Sequence, residues 1–122
     1  MDIETNWIVE GQLLRVVFPA HLESAVLREY DDLMVQKLEV ATCKVHFIAD
    51  LSDVKTLPGL SVMVGLRHPY HHRLGYGLTV GLTRNPVGRF LIAMGAQVMG
   101  VHQRDFDTFN EARSYLRQME GI

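Results

Sequence analysis

The 122-residue chain reads as one α/β domain, residues 1–122, with a mixed central sheet and four helices in the order β-β-α-β-α-β-α-β-α. Three observations carry that reading. A glycine-containing hairpin signal near the amino terminus joins two antiparallel strands. Short apolar runs then alternate with helix-spaced stretches, the pattern of β-α-β crossovers. Nearly half the residues are apolar and only 21% are charged, enough to bury a core in a single domain of this length.

The elements follow in order. Trp7-Ile8-Val9 and Leu13 to Phe18 flank Glu10-Gly11-Gln12, a three-residue hairpin connection, and Pro19 ends the second strand. From Leu22 to about Val40 the apolar positions Leu22, Val26, Tyr30, Leu33 and Val40 keep helical spacing, and the stem of Lys37 snorkels across that face. Val45 to Leu51 is an apolar run of strand length, ending in Asp50-Leu51-Ser52. A polar turn leads to Pro58-Gly59, which opens a helix running to about Arg67 with proline in its first turn. Leu60, Val62, Met63, Val64 and Leu66 make that helix apolar nearly all round, as in a core or at a subunit interface. His68-Pro69 stops it.

Gly77 to Leu82 is the fourth strand. Asn85-Pro86 reads as an N-cap and first helical residue, with Val87, Phe90, Leu91, Met94 and Val98 on one inward stripe. Met99 to Arg104 is the fifth strand. Thr108-Phe109-Asn110-Glu111 is a capping box opening a final helix that turns Phe109, Ala112, Leu116 and Met119 inward.

Composition narrows the function. The single cysteine, Cys43, excludes an internal disulfide and fits a reducing cytosol. Charged residues interrupt every apolar run, so no membrane span is expected, and the acidic start MDIETNW is not that of a secretion signal. A net charge of −2 argues against a nucleic-acid binder. The expected location is the cytoplasm. Charge is nonetheless unevenly spread: from Val54 to Arg104 there is no Asp or Glu, while Lys55, Arg67, Arg73, Arg84, Arg89 and Arg104 fall there with His68, His71, His72 and His102. Either the fold collects these into a positive face, or it interleaves them with the flanking acids.

The order of elements, together with IADLSDVKTLPGLSVM and RDFDTFNEARSYL, resembles the STAS domain, named for sulfate transporters and anti-sigma factor antagonists. The first stretch is similar to that family's apolar strand ending Asp-Leu-Ser, its turn, and the Gly-Leu that starts a helix. The second is similar to its last strand and terminal helix. The resemblance implies a non-catalytic domain that docks on a partner or holds a nucleotide or lipid-like ligand. Regulatory members place a phosphorylatable Ser or Thr just before the glycine. Here Leu57-Pro58 precede Gly59, the nearest hydroxyls are Thr56 and Ser61, and Thr56 is the candidate for modification.

Other chemistry is weaker. His68 and His72 have i, i+4 spacing with His71 beside them, but Pro69 interrupts the helix and no acid or thiol completes a shell, so no metal site is expected. Cys43 lacks a partner base, Ser52 and Ser61 lack a nucleophile elbow, and Asp50 is better placed to fix its loop than to pair with Asp53. No glycine motif for a phosphate or dinucleotide is present, so neither an enzyme nor a cofactor is expected. What remains is the edge where strands three and four end. Lys55, Thr56, Pro58 and Gly59 lie in one loop, and Arg84, Asn85 and Arg89 at the other, each loop leading into a helix amino terminus, where negative charge is favoured. Arg104 is expected on the same side. The chain is therefore expected to be a non-enzymatic regulatory domain that binds a protein partner, or itself as a homodimer. The alternative is a carrier of a lipid or nucleotide with an anionic head, its apolar cavity lined by some of the six methionines.

Overall fold

The computed structural model describes residues 2–59, 75–99 and 104–122. These form five strands, β1 (Glu4–Val9), β2 (Leu13–Val17), β3 (Val45–Asp50), β4 (Tyr76–Leu82) and β5 (Asp105–Phe106), and three helices, α1 (Ser24–Glu39), α2 (Pro86–Met99) and α3 (Phe109–Glu120). One sheet holds the strands in their chain order. β1 and β2 are antiparallel, and β3, β4 and β5 continue parallel to β2. The hairpin closes through Gln12 N–H on the Val9 carbonyl at 2.9 Å. Gly11 takes φ +72° there, a conformation open to glycine and strained for most other residues.

Alternation along the strands divides the core between the two faces of the sheet. Leu14, Val16, Val45 and Phe47 meet Val26, Tyr30, Leu33, Met34 and Leu38 of α1, with Ile92 of α2, on one face. Leu13, Ile48, Val80 and Leu82 meet Ala112 and Leu116 of α3 on the other. Lys37 does lie along its helix's inner margin, its ammonium 5.7 Å from the Trp7 ring centroid.

Several expectations are corrected. The helix expected from Pro58 to about Arg67 lies outside the described residues beyond Gly59, and Pro58 and Gly59 themselves are irregular rather than helical. Three helices, not four, are therefore counted among the described residues. Met99 is the last residue of α2, and the fifth strand is Asp105–Phe106, because an apolar run suits a buried helix as well as a strand. Val40 follows the last turn of α1 and is 76% exposed. Phe90 is 51% exposed and Ile92 takes an inward position of α2 in its place, beside Val87 and Leu91, which pack on the core. Gly81 makes room for Ile92: a Cβ at Gly81 would lie 2.2 Å from its Cδ1. Met119 is 59% exposed, since α3 seats itself on Ala112 and Leu116, both fully buried.

The seam between β3 and β4 is irregular at its start. Val45 pairs with Tyr76 and Phe47 with Thr79, so β4 carries an extra residue opposite His46. The imidazole of His46, only 4% exposed, fills that bulge and accepts the Leu78 N–H on Nδ1 at 2.9 Å. A Cβ on Gly77 would lie 2.3 Å from the same ring, so the side chain in the bulge requires glycine at that position.

Candidate functional site

Three connections converge where β2, β3 and β4 end: residues 18–22, 51–59 and 83–85. Backbone bonds lock the first two together. Lys55 N–H and Thr56 N–H both donate to the Ala20 carbonyl, at 2.7 and 3.1 Å, and Leu22 N–H donates to the Thr56 carbonyl at 3.0 Å. His21 and Thr56 form an isolated parallel bridge, with His21 Nδ1 2.9 Å from Thr56 Oγ1. Val54, 2% exposed, pins the loop between its exposed neighbours Asp53 and Lys55 to the core.

Asn85 ties in the third connection and behaves as the N-cap its sequence implies. Its Oδ1 accepts the Gly88 N–H at 2.6 Å, while its Nδ2 donates to the Leu51 and Ser52 carbonyls at 3.3 and 3.1 Å. One amide thus starts α2 and binds the β3 loop to it. Behind it the fully buried Thr83 accepts the Asn85 N–H on Oγ1 at 3.2 Å.

Asp50 fixes the base of the loop, as expected, by accepting the Ser52 N–H at 3.0 Å. Its other oxygen accepts from the guanidinium of Arg15, the Nε contact being 3.1 Å. Burial pushes the Asp50 carboxyl up, but the hydrogen bonds from Arg15 and Ser52 outweigh it and hold the group below its ordinary value. The Arg15 guanidinium in turn lies 5.1 Å from the Phe109 ring centroid at the start of α3. Both Asp50 oxygens are engaged, so Asp50 and the exposed Asp53 do not act as a carboxylate pair.

An open groove of about 700 Å³ runs between these connections, lined by Pro19, Ala20, Ser52, Asp53, Val54, Lys55, Asn85 and Val87. Of the expected residues it gathers Lys55 and Asn85, and Thr56, Pro58 and Gly59 continue the same loop. The cationic part of the expectation is altered. Arg89 pairs with Asp107 at 2.6 Å and approaches Asp105 at 3.6 Å, and Arg84 Nε donates to the Asp107 carbonyl at 3.3 Å. Arg104 leaves this edge altogether, stacking 5.0 Å from the Tyr115 ring centroid and 5.8 Å from that of Phe106. With Asp53 in the groove beside Lys55, the described edge is mixed in charge, because the fold interleaves the acid-free segment with carboxylates from β5 and the turn after it. The four histidines of that segment, with Arg67 and Arg73, lie outside the described residues. Met34 is in the core and Met119 on the surface, so these two methionines do not line one shared cavity.

Sequence reasoning missed Arg15, His21, Pro19 and Ala20. Pro19-Ala20 carried a faint signal, a proline at a strand end. Arg15 was visible only as a charge within an apolar strand.

No protein-family model matches the chain, and no curated protein matches its sequence. Solved structures do match its fold. The unphosphorylated form of the anti-sigma factor antagonist SpoIIAA superposes with a TM-score of 0.63 at 14% identity, over 98% of this chain and 97% of that one. An uncharacterised protein of the DUF3478 family from Shewanella loihica PV-4, described as having a SpoIIAA-like fold, gives 0.61 at 12% identity, over 93% and 91%. The phosphorylated form of the Bacillus cell fate determinant SpoIIAA gives 0.59 at 15% identity, over 94% and 99%. The fold is therefore SpoIIAA-like, the anti-sigma factor antagonist-like fold that the STAS resemblance implies.

Proposed function

We propose that this protein is a non-enzymatic regulatory domain that docks a protein partner on the edge formed by the Pro19-Ala20 turn, the 52–59 loop and the start of α2. The observation that supports this most is the way the edge is built. Asp53, Lys55 and Thr56 are exposed around an open groove, yet the loop that carries them is held by backbone bonds from Lys55 and Thr56 to Ala20, from Leu22 to Thr56, and from the Asn85 side chain to Ser52. Such a surface loses little conformational freedom on binding and offers charges of both signs for orientation. An open, mixed-charge groove suits another macromolecule better than a small molecule that must be enclosed. The likeness to an anti-sigma factor antagonist adds support for a regulatory role.

Thr56 is the proposed point of control. Its hydroxyl is on the exposed rim beside His21, so a phosphoryl group there would break the His21 contact and add negative charge next to Lys55.

The test is crosslinking from the groove in host cells. A photoreactive residue replacing Lys55 should capture one discrete protein, whereas the same residue replacing Arg117 on α3 should not. With that partner purified, Lys55→Glu and Asp53→Lys should each weaken binding at least tenfold and Arg117→Glu should not. Equal effects from all three variants would sink the proposed surface. A small-molecule mass retained in native mass spectrometry, with no protein captured, would favour the carrier reading instead.

A further inference from the structure

The β3–β4 seam holds a titratable group where a regular ladder would place a carbonyl. At the start of β4 the Leu78 N–H has as its acceptor the His46 ring, at 2.9 Å. An imidazole that accepts on Nδ1 must be neutral with its proton on Nε2. The ring cannot simply turn away, since it sits 4% exposed against Gly77, whose missing side chain forms the recess. On its strand neighbours' side lies Leu13 of β2, paired with His46 across the parallel ladder, and on the other Gly77 and Leu78. Among the described residues two charges act on the ring: the Glu120 carboxylate at the end of α3, which favours the protonated form, and the Lys44 ammonium just before β3, which opposes it.

We propose that His46 is an acid-released latch on the β3–β4 seam: a proton taken from solvent by Nδ1 removes the acceptor of the Leu78 N–H and opens the bulge at the start of β4. Two donors then face each other in a buried recess, and a positive charge is left there with Glu120 as its one counter-charge among the described residues. The seam yields locally because the bulge already interrupts the ladder. Beyond it, the pairs Phe47–Thr79 to Asp50–Leu82 remain in regular register. Tyr76 moves with the latch. Its ring stacks on Phe47 with centroids 6.0 Å apart, and its hydroxyl bonds to Thr79 across the two bulge residues. Burial of His46 acts in the same direction, pulling its pKa below the ordinary value, so the latch stays closed at neutral pH. This switch is independent of the docking surface.

Nitrogen-15 NMR of the imidazole with amide hydrogen exchange tests the latch directly. At pH 7.5 His46 should show a protonated Nε2 and an unprotonated Nδ1. As His46 titrates, the protection factor of the Leu78 amide should fall at least tenfold, while those of the regular ladder from Phe47 to Asp50 hold. Glu120→Gln should move both the titration and the loss of protection to lower pH. His46→Asn, whose Oδ1 can accept the same N–H without titrating, should make Leu78 protection independent of pH. Leu78 protection that stays constant through the His46 titration overturns the proposal. So does a ring that remains neutral until the whole protein unfolds. Should the Asn variant not fold, the shift with Glu120→Gln still decides the matter, and its absence counts against the latch.

Discussion

Asp50 and Arg15 show how one ion pair can have two unequal ends. The carboxylate side chain is 5% exposed and the guanidinium side chain 32% exposed. Removing Arg15 strands a buried charge whose remaining hydrogen bonds among the described residues come from Ser52, whereas neutralising Asp50 leaves a guanidinium that still reaches water and the Phe109 ring. Arg15→Ala should therefore destabilise by about 3 kcal/mol at pH 7, the scale of a broken buried pair, and Asp50→Asn by less. Urea denaturation of both variants checks the order, and equal losses would contradict it. Asn85 is the other residue with more than one task. Asn85→Ala removes a helix cap and two bonds to the β3 loop, and should lower stability by about 2 kcal/mol. Asn85→Asp keeps the cap and loses the two donors, so it should fall between. Asn85 was legible as a cap from Asn-Pro in the sequence. Its second role was not, because the Leu51 and Ser52 carbonyls are 33 and more residues away in the chain.

Helix α2 shows where local preference and tertiary packing oppose each other. Glycine inside a helix is unfavourable by about 1 kcal/mol relative to alanine, so Gly88→Ala should stabilise if α2 is judged alone. In the fold a Cβ at Gly88 would lie 2.3 Å from Oγ1 and 2.9 Å from Cβ of the fully buried Thr83. Gly88→Ala should thus destabilise, by about 1–3 kcal/mol as overpacked cores do, and Thr83→Ser in the same chain should recover part of the loss. A thermal melt higher than that of the parent would show that Thr83 can move aside. Helix α3, by contrast, was readable from its sequence at its amino-terminal cap and along its inner face as far as Leu116, though not at Met119. Thr108 accepts the Glu111 N–H at 3.2 Å, and Ala112 and Leu116 are fully buried. Caps and amphipathic spacing are local signals. Strand β5 was misplaced because two residues are too few to show any period, and the apolar end of α2 imitated a strand.

For the molecule as a whole, acidification should weaken folding in two stages. His46 has a folded-state pKa below its ordinary value of 6.5, so the unfolded chain binds more protons as pH falls through that value, and stability begins to decline there. Asp50 is likewise lowered from 3.8, so its contribution is complete well above that pH and is lost as pH falls through the carboxylate range. Denaturation midpoints measured from pH 8 to pH 3 should show both declines. Glu120→Gln should enlarge the first, because it removes a charge that favours the protonated histidine in the fold, and an unchanged first decline would show that His46 is not its source. The sequence by itself determined the α/β class, the early hairpin, the amino-terminal caps of α2 and α3, and the edge of the sheet where the exposed loops gather. Each of those depends on near neighbours or on a repeat in polarity. Only the tertiary structure decided that Arg89 and Arg84 turn to the Asp105–Asp107 turn, that Arg104 stacks on Tyr115, that Thr56 meets His21, and that His46 fills the bulge opposite Gly77. Those arrangements join residues from separate strands and loops, and their partners are set by sheet register and helix seating, which no single stretch of the chain encodes.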